Sequence, residues 1–173
     1  MRLLVVEDHK GFRMGLRSIL EAEGFEVAVA LSGEDALQCV VRCKPDVVLM
    51  DLYLPGMLGI EATRRVLRLA PQTAVVMLSL FESADLVDCV LDAGASSYLL
   101  KDASLDEILS AIESAAVGRR LSSASPLSRR SGRRVGRPTR ACDLSLTETL
   151  RHDPAVARTV ARTPRARCSC GSG

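Results

Sequence analysis

The chain has 173 residues, 47% hydrophobic and 25% charged, which suits one ordinary soluble domain, or a small domain with a tail. It has no run of about eighteen apolar residues, which excludes a membrane-spanning helix, and its charged, strand-like start is not the basic-then-apolar block of a secretory signal. The net charge of +2 hides a split: residues 1–117 carry 10 Lys and Arg against 18 Asp and Glu, a net −8, and residues 118–173 carry 13 Arg against 3 Asp and Glu, a net +10.

Five strand-like apolar runs alternate with helical patterns. Residues 3–6 end at Glu7 and Asp8. A helix follows with Phe12, Leu16, Ile19 and Leu20 on one face, closed by Gly24. Residues 25–30 form the second strand, and Ser32 caps a helix whose first turn holds Glu34 and Asp35 near the positive end of its dipole. That helix runs toward Cys43 and stops before Pro45. Residues 46–50 form the third strand, leading into Asp51 and a loop with Pro55-Gly56. A helix over 60–69 turns Arg64, Arg65 and Arg68 outward; residues 74–78 then lead to Ser79. A helix over 83–93 is capped by Gly94, residues 97–100 lead to Lys101, and a last helix covers 105–117. Five such units predict an α/β fold, a doubly wound five-stranded parallel sheet covered on both faces.

In an open parallel sheet, ligands bind outside the carboxyl ends of the strands. Here those ends carry Glu7, Asp8, Asp51, Ser79 and Lys101. Three converging carboxylates repel one another unless a cation joins them, and hard oxygen donors suit Mg²⁺. Asp51 is the natural nucleophile for a phosphoryl group. Mg²⁺ and Lys101 would neutralise charge on the phosphoryl oxygens, and Ser79 could hydrogen-bond one of them. Each residue alone would read as a cap or a solvated turn; their joint placement at strand ends is what points to chemistry. His9 reads as a loop residue beside the site and not as a ligand.

Val5-Val6-Glu7-Asp8-His9, Asp51-Leu52-Tyr53-Leu54-Pro55-Gly56-Met57, Ser79, Ala93-Gly94-Ala95 and Ser97-Tyr98-Leu99-Leu100-Lys101-Asp102 occur in this order. With them, residues 1–117 resemble the receiver domain of bacterial two-component response regulators, a flavodoxin-like fold. The Leu-Leu-Lys-Asp form resembles the NarL/LuxR-type subfamily, whose output is a helix-turn-helix. The resemblance implies that Asp51 accepts phosphate from a sensor histidine kinase. It implies Mg²⁺ held by Glu7, Asp8, Asp51 and the backbone carbonyl of Tyr53, with Lys101 on the phosphoryl group. Ser79 and Tyr98 would form the switch that remodels the face of the fourth helix, fifth strand and fifth helix, through which a homodimer would form. It further implies a switching module, ancestrally controlling transcription, and not a turnover enzyme; without a secretory signal, a cytoplasmic location is expected. Two positions depart from the family pattern. Leu58 stands where an Asp is usual, which bears on loop conformation. Leu80 stands where a small residue is usual, and its bulk is expected to slow phosphoryl turnover.

Two enzyme readings are weaker. A Mg-dependent haloacid-dehalogenase-like phosphatase needs a second Asp two residues after the first, where this chain has Tyr53. A nucleotide-binding enzyme needs a Gly-x-Gly-x-x-Gly after the first strand, where this chain has Glu7-Asp8-His9-Lys10.

Residues 118–173 are an Arg/Ser/Pro-rich linker or tail without Phe, Tyr, Trp or Lys, and disorder is the default for such a composition. A capped helix start at Ser145 is stopped by Pro154, and no helix-turn-helix pattern follows. The tail reads as a disordered extension, as a basic arm binding nucleic acid non-specifically by counterion release, or as a frameshifted remnant of a DNA-binding domain. Read two bases out of frame with GC-rich codons, residues 165–173 can give Arg-Glu-Val-Leu-Val-Arg-Leu-Gly, which resembles the opening of a LuxR-type output domain. The shifted frame is favoured over plain disorder, and both over the arm, which lacks aromatic residues to stack bases. DNA binding is expected only with an intact output domain or through the basic tail; no membrane partner is expected. Cys39, Cys43 and Cys89 lie in apolar helical patterns where reduced thiols are expected, and Cys168 with Cys170 falls short of a zinc site.

Overall fold

The computed structural model describes residues 1–81 and 84–124. The Arg-rich stretch beyond Ala124, with the helix start at Ser145 and Cys142, Cys168 and Cys170, lies outside them. Strands and helices alternate as β1 (Arg2–Val6), α1 (Lys10–Ala22), β2 (Glu26–Ala30), α2 (Gly33–Cys43), β3 (Val47–Asp51), α3 (Gly59–Leu69), β4 (Ala74–Ser79), α4 (Ala84–Asp92), β5 (Ser97–Leu100) and α5 (Leu105–Ala124). The strands form one parallel sheet in the order β2-β1-β3-β4-β5. This is the doubly wound α/β fold expected from the alternation.

The central strands are near-continuous apolar runs because both faces are covered. Leu4, Val6, Val48, Met50, Val75 and Met77 face α2, α3 and α4, where they meet Val40, Ile60, Val66 and Val90. The alternate residues Leu3, Val5, Val47, Leu49, Val76 and Leu78 face α1 and α5, where they meet Leu16, Leu20, Ile108 and Ile112. The period of two along each strand thus feeds two cores from one sheet. Ile19, expected on the buried face of α1, is 45% exposed; the stripe of α1 that reaches the sheet runs through Arg13, Leu16 and Leu20.

Local signals explain most boundaries. Ser32 Oγ accepts from the Asp35 N–H at 3.1 Å at the start of α2. His9 caps α1, its Nδ1 accepting from the Phe12 N–H at 3.2 Å. Ser104 and Glu107 form a reciprocal capping box at α5. Lys44 closes α2 at φ 45 ahead of Pro45. Leu58 caps α3 with no side-chain hydrogen bond, as its replacement of an acceptor side chain implies. The last helix does not end at residue 117 but continues through Gly118 to Ala124, because a single glycine costs a helix only about 1 kcal/mol. No helix among the described residues is long and apolar enough to cross a membrane.

One buried group works against the fold. Thr63 on α3 is fully buried, and its Oγ1 has no hydrogen-bond partner. Thr63→Val is expected to stabilise the protein by about 1 kcal/mol, since it removes an unmet hydroxyl without leaving a hole. Urea denaturation would read it; a loss of stability on this substitution would show that the hydroxyl is satisfied in solution.

Candidate functional site

Strand order places the site. β1 has β2 on one side and β3 on the other, so the connections leave in opposite directions and a crevice opens at the carboxyl ends of β1 and β3. Glu7 follows β1 and Asp51 ends β3; they are 1% and 3% exposed. Carboxylate oxygens of Glu7, Asp8 and Asp51 all lie within 4.8 Å of one another. Lys101, just past β5, reaches back over β4, its Nζ 2.7 Å from Glu7 Oε2 and 3.0 Å from Asp51 Oδ2. The Lys101 N–H donates to the Ser79 carbonyl at 2.7 Å, which ties the ends of β4 and β5 together.

Backbone donors hold the two buried carboxylates. The Tyr53 N–H donates to Asp51 Oδ1 at 3.2 Å, and the His9 N–H donates to Glu7 Oε1 at 3.1 Å. Burial, then the Glu7 charge, pushes the Asp51 carboxyl up to about 7, against the opposing pull of Lys101 and the Tyr53 amide. Burial alone would lower Lys101, but Asp51 and Glu7 outweigh it and hold the ammonium above its ordinary range. One ammonium thus faces three carboxylates. Glu7 Oε2 is buried and, apart from that ion pair, accepts no well-formed hydrogen bond. An all-oxygen donor set with excess negative charge fits a small hard cation such as Mg²⁺.

Ser79 is fully buried, and its Oγ accepts from the Phe81 N–H at 3.1 Å. The Tyr98 hydroxyl donates to the Phe81 carbonyl. Ser79 and Tyr98 are therefore joined through one residue that neither spacing nor motif had marked. The Phe81 ring meets the Tyr53 ring edge to face, with centroids 5.6 Å apart and planes at 77°. Leu80, the residue expected to obstruct the site, is 70% exposed.

Two more supports escaped the sequence reading. Arg13 Nη1 donates to the carbonyls of Glu7 at 2.7 Å and Asp8 at 2.9 Å, which clamps the loop carrying two of the acids. The signal was present: Arg13 lies three and seven residues before Leu16 and Leu20, on the inward stripe of α1. Lys101 Nζ also stands 5.2 Å from the centre of the Phe12 ring. The Arg64, Arg65 and Arg68 side chains gather around Glu61 on the surface of α3.

Residues 3–113 match the family model described as response regulator receiver domain. Response regulator GacA of Pseudomonas aeruginosa is 40% identical over 122 residues, a match covering 69% of this chain and 57% of GacA. Transcriptional regulatory protein LiaR of Bacillus subtilis is 42% identical over 120 residues, covering 68% of this chain and 57% of LiaR. A solved two-component response regulator of the LuxR family from Aurantimonas superposes with a TM-score of 0.65 at 32% identity, over 68% of this chain and 86% of that one. The chain spans a little over half the length of these two curated relatives.

Proposed function

The chain belongs to the response regulator receiver domain family, and from that membership we propose that its acidic pocket is the phospho-acceptor site of a two-component phosphorelay. Asp51 takes the phosphoryl group from a phosphohistidine of a sensor histidine kinase. An Asp51 oxygen bonds to phosphorus as the phosphorus–nitrogen bond breaks, and the imidazole keeps the electron pair and takes up a proton. The observation that carries this reading is the placement of Asp51, buried at the end of the central strand with Lys101 Nζ 3.0 Å away and two further acids beside it.

Glu7, Asp8, Asp51 and the Tyr53 backbone carbonyl would hold Mg²⁺. Bound there, the ion would favour the ionised form of Asp51 and offset charge on the phosphoryl oxygens. Lys101 already contacts Asp51 and is placed to follow a phosphoryl oxygen. Ser79 offers its hydroxyl to another, and Tyr98 follows through Phe81, so the face of α4, β5 and α5 changes with the acceptor. A second copy of the chain is the partner proposed for that face. The module would comprise residues 1–117 together with the extra turns of α5, and it would act as a switch without substrate turnover. Control of transcription, as in the transcriptional regulatory protein LiaR, would need the output segment that the matched region does not cover.

The full chain incubated with acetyl phosphate and Mg²⁺ is expected to gain one phosphoryl group, read by intact mass. Removing Mg²⁺ with a chelator should prevent it. An adduct that persists in Asp51→Asn would overturn the assignment of the acceptor.

A further inference from the structure

Glu7 and Asp8 lie between the end of β1 at Val6 and the start of α1 at Lys10, so their carbonyls belong to neither the sheet nor the helix. One residue of α1 holds this connection. Arg13 Nη1 donates to the Glu7 carbonyl at 2.7 Å and to the Asp8 carbonyl at 2.9 Å, and the Arg13 backbone N–H donates to the His9 carbonyl at 3.0 Å. Three consecutive carbonyls therefore end on a single residue. Arg13 is only 9% exposed. It shares the inward stripe of α1 with Leu16 and Leu20, which pack against the sheet, so the guanidinium reaches the loop from a fixed base. The acids on that loop stand within 4.8 Å of Asp51.

We infer that Arg13 is a positioning residue that presets the backbone of Glu7 and Asp8 for Mg²⁺. This inference rests on the reading of the three acids as a Mg²⁺ site and adds what fixes two of the ligand residues before the ion arrives. Arg13 acts on the ion in two ways of opposite sign. Its positive charge repels a cation, whereas its hydrogen bonds hold the ligand residues in place. Positioning is the larger effect. The guanidinium charge is partly offset by the two carbonyl dipoles that it bonds. Each carbonyl set free would release a ligand residue, whose backbone must then be ordered when the ion binds. Removing the side chain thus weakens Mg²⁺ binding, where loss of the charge alone would tighten it.

Mg²⁺ affinity is read by isothermal titration calorimetry on the full chain, with no phosphoryl donor present. Arg13→Met keeps the apolar stem and removes the donors; it should weaken binding on the order of tenfold, the lower end of what outer contacts to metal ligands supply. Arg13→Lys keeps the charge and a shorter donor, and should recover part of the loss. Arg17→Met removes an arginine paired with Glu21 on the surface of the same helix, and should leave the affinity unchanged. The Mg²⁺ concentration for half-maximal phosphoryl uptake from acetyl phosphate should rise in Arg13→Met by the same factor as the dissociation constant. A purely structural role would lower the thermal midpoint in chelator and leave Mg²⁺ affinity, measured well below that midpoint, where it was. Should Arg13→Met fail to fold, Arg13→Lys carries the expectation of a smaller loss in the same direction. Unchanged or tighter Mg²⁺ binding in the folded variant would overturn the inference while leaving the site in place. Absence of Mg²⁺ binding by the unmutated chain would instead overturn the reading of the acids as a metal site, and this inference with it.

Discussion

Replacing Asp51 with Asn is expected to raise the thermal midpoint of the metal-free protein at pH 8, and by only about a third as much at pH 5. The folded protein holds the Asp51 proton up to about 7, whereas an unfolded chain releases it near 3.9. An acid whose folded value is raised costs stability as pH climbs from the unfolded value through the folded one, and the full cost is present above about 7. Asp51 is nearly inaccessible, so solvent screening takes little from this cost, which is on the order of 2 to 4 kcal/mol. Asn keeps an acceptor for the Tyr53 N–H and carries no charge; Lys101 keeps Glu7 as its partner. Lys101, raised above its ordinary range, adds stability that is lost only as pH rises through that raised value, outside the pH 5–8 window. Calorimetry in chelator should show the variant several degrees above wild type at pH 8. Mg²⁺ should then raise the wild type more than the variant. Equal midpoint differences at pH 5 and pH 8 would sink the argument.

A methyl group at Gly59 should damage the protein more than at any other described glycine. A Cβ there would lie 2.1 Å from the Asp51 carbonyl oxygen, 2.9 Å from Leu52 Cα and 3.0 Å from the Asp51 carbonyl carbon. All three atoms are backbone, so none can swing aside. The Gly59 N–H also donates to the Leu52 carbonyl at 2.9 Å, which pins the start of α3 against the end of β3. Gly59→Ala must break that approach and shift the loop that bears Tyr53. A cost of about 3 kcal/mol or more is expected in urea denaturation, beyond the usual range for overpacking. Phosphoryl uptake from acetyl phosphate should fall in parallel. Gly15→Ala is the contrast: Gly15 is an exposed residue inside α1 with open space around it, and alanine there should stabilise by roughly 0.5–1 kcal/mol. If both substitutions have the same sign, the close approach at Gly59 is not what limits the loop.

The site was legible to an unequal degree. Glu7, Asp8, Asp51, Ser79 and Lys101 could be found because each ends an apolar run, and parallel strands bring their carboxyl ends to one edge whatever their order. Lys101 is the clearest case. Its position after the fifth strand was readable, but its double pairing with Glu7 and Asp51 depends on β5 lying two strands from β3 and on the length of its side chain. His9 read as a plain loop residue, and its ring turned out to cap α1. Arg13 could have been found from its inward register, yet a guanidinium satisfied by two carbonyls is invisible until the loop is folded against the helix.

By itself, the sequence determined the alternation of elements, the parallel sheet with two apolar faces, the cap at Ser32, and the set of acids at the strand ends. These follow from interactions within a few residues and from periods of two and 3.6, which a linear reading can count. Only the tertiary structure decided the strand order that opens the crevice at Asp51, the raised proton affinity of that carboxyl, the Gly59 approach and the Tyr53–Phe81 contact. Each of these joins groups far apart in the chain, or arises from burial, and burial exists only once both layers of helices close over the sheet.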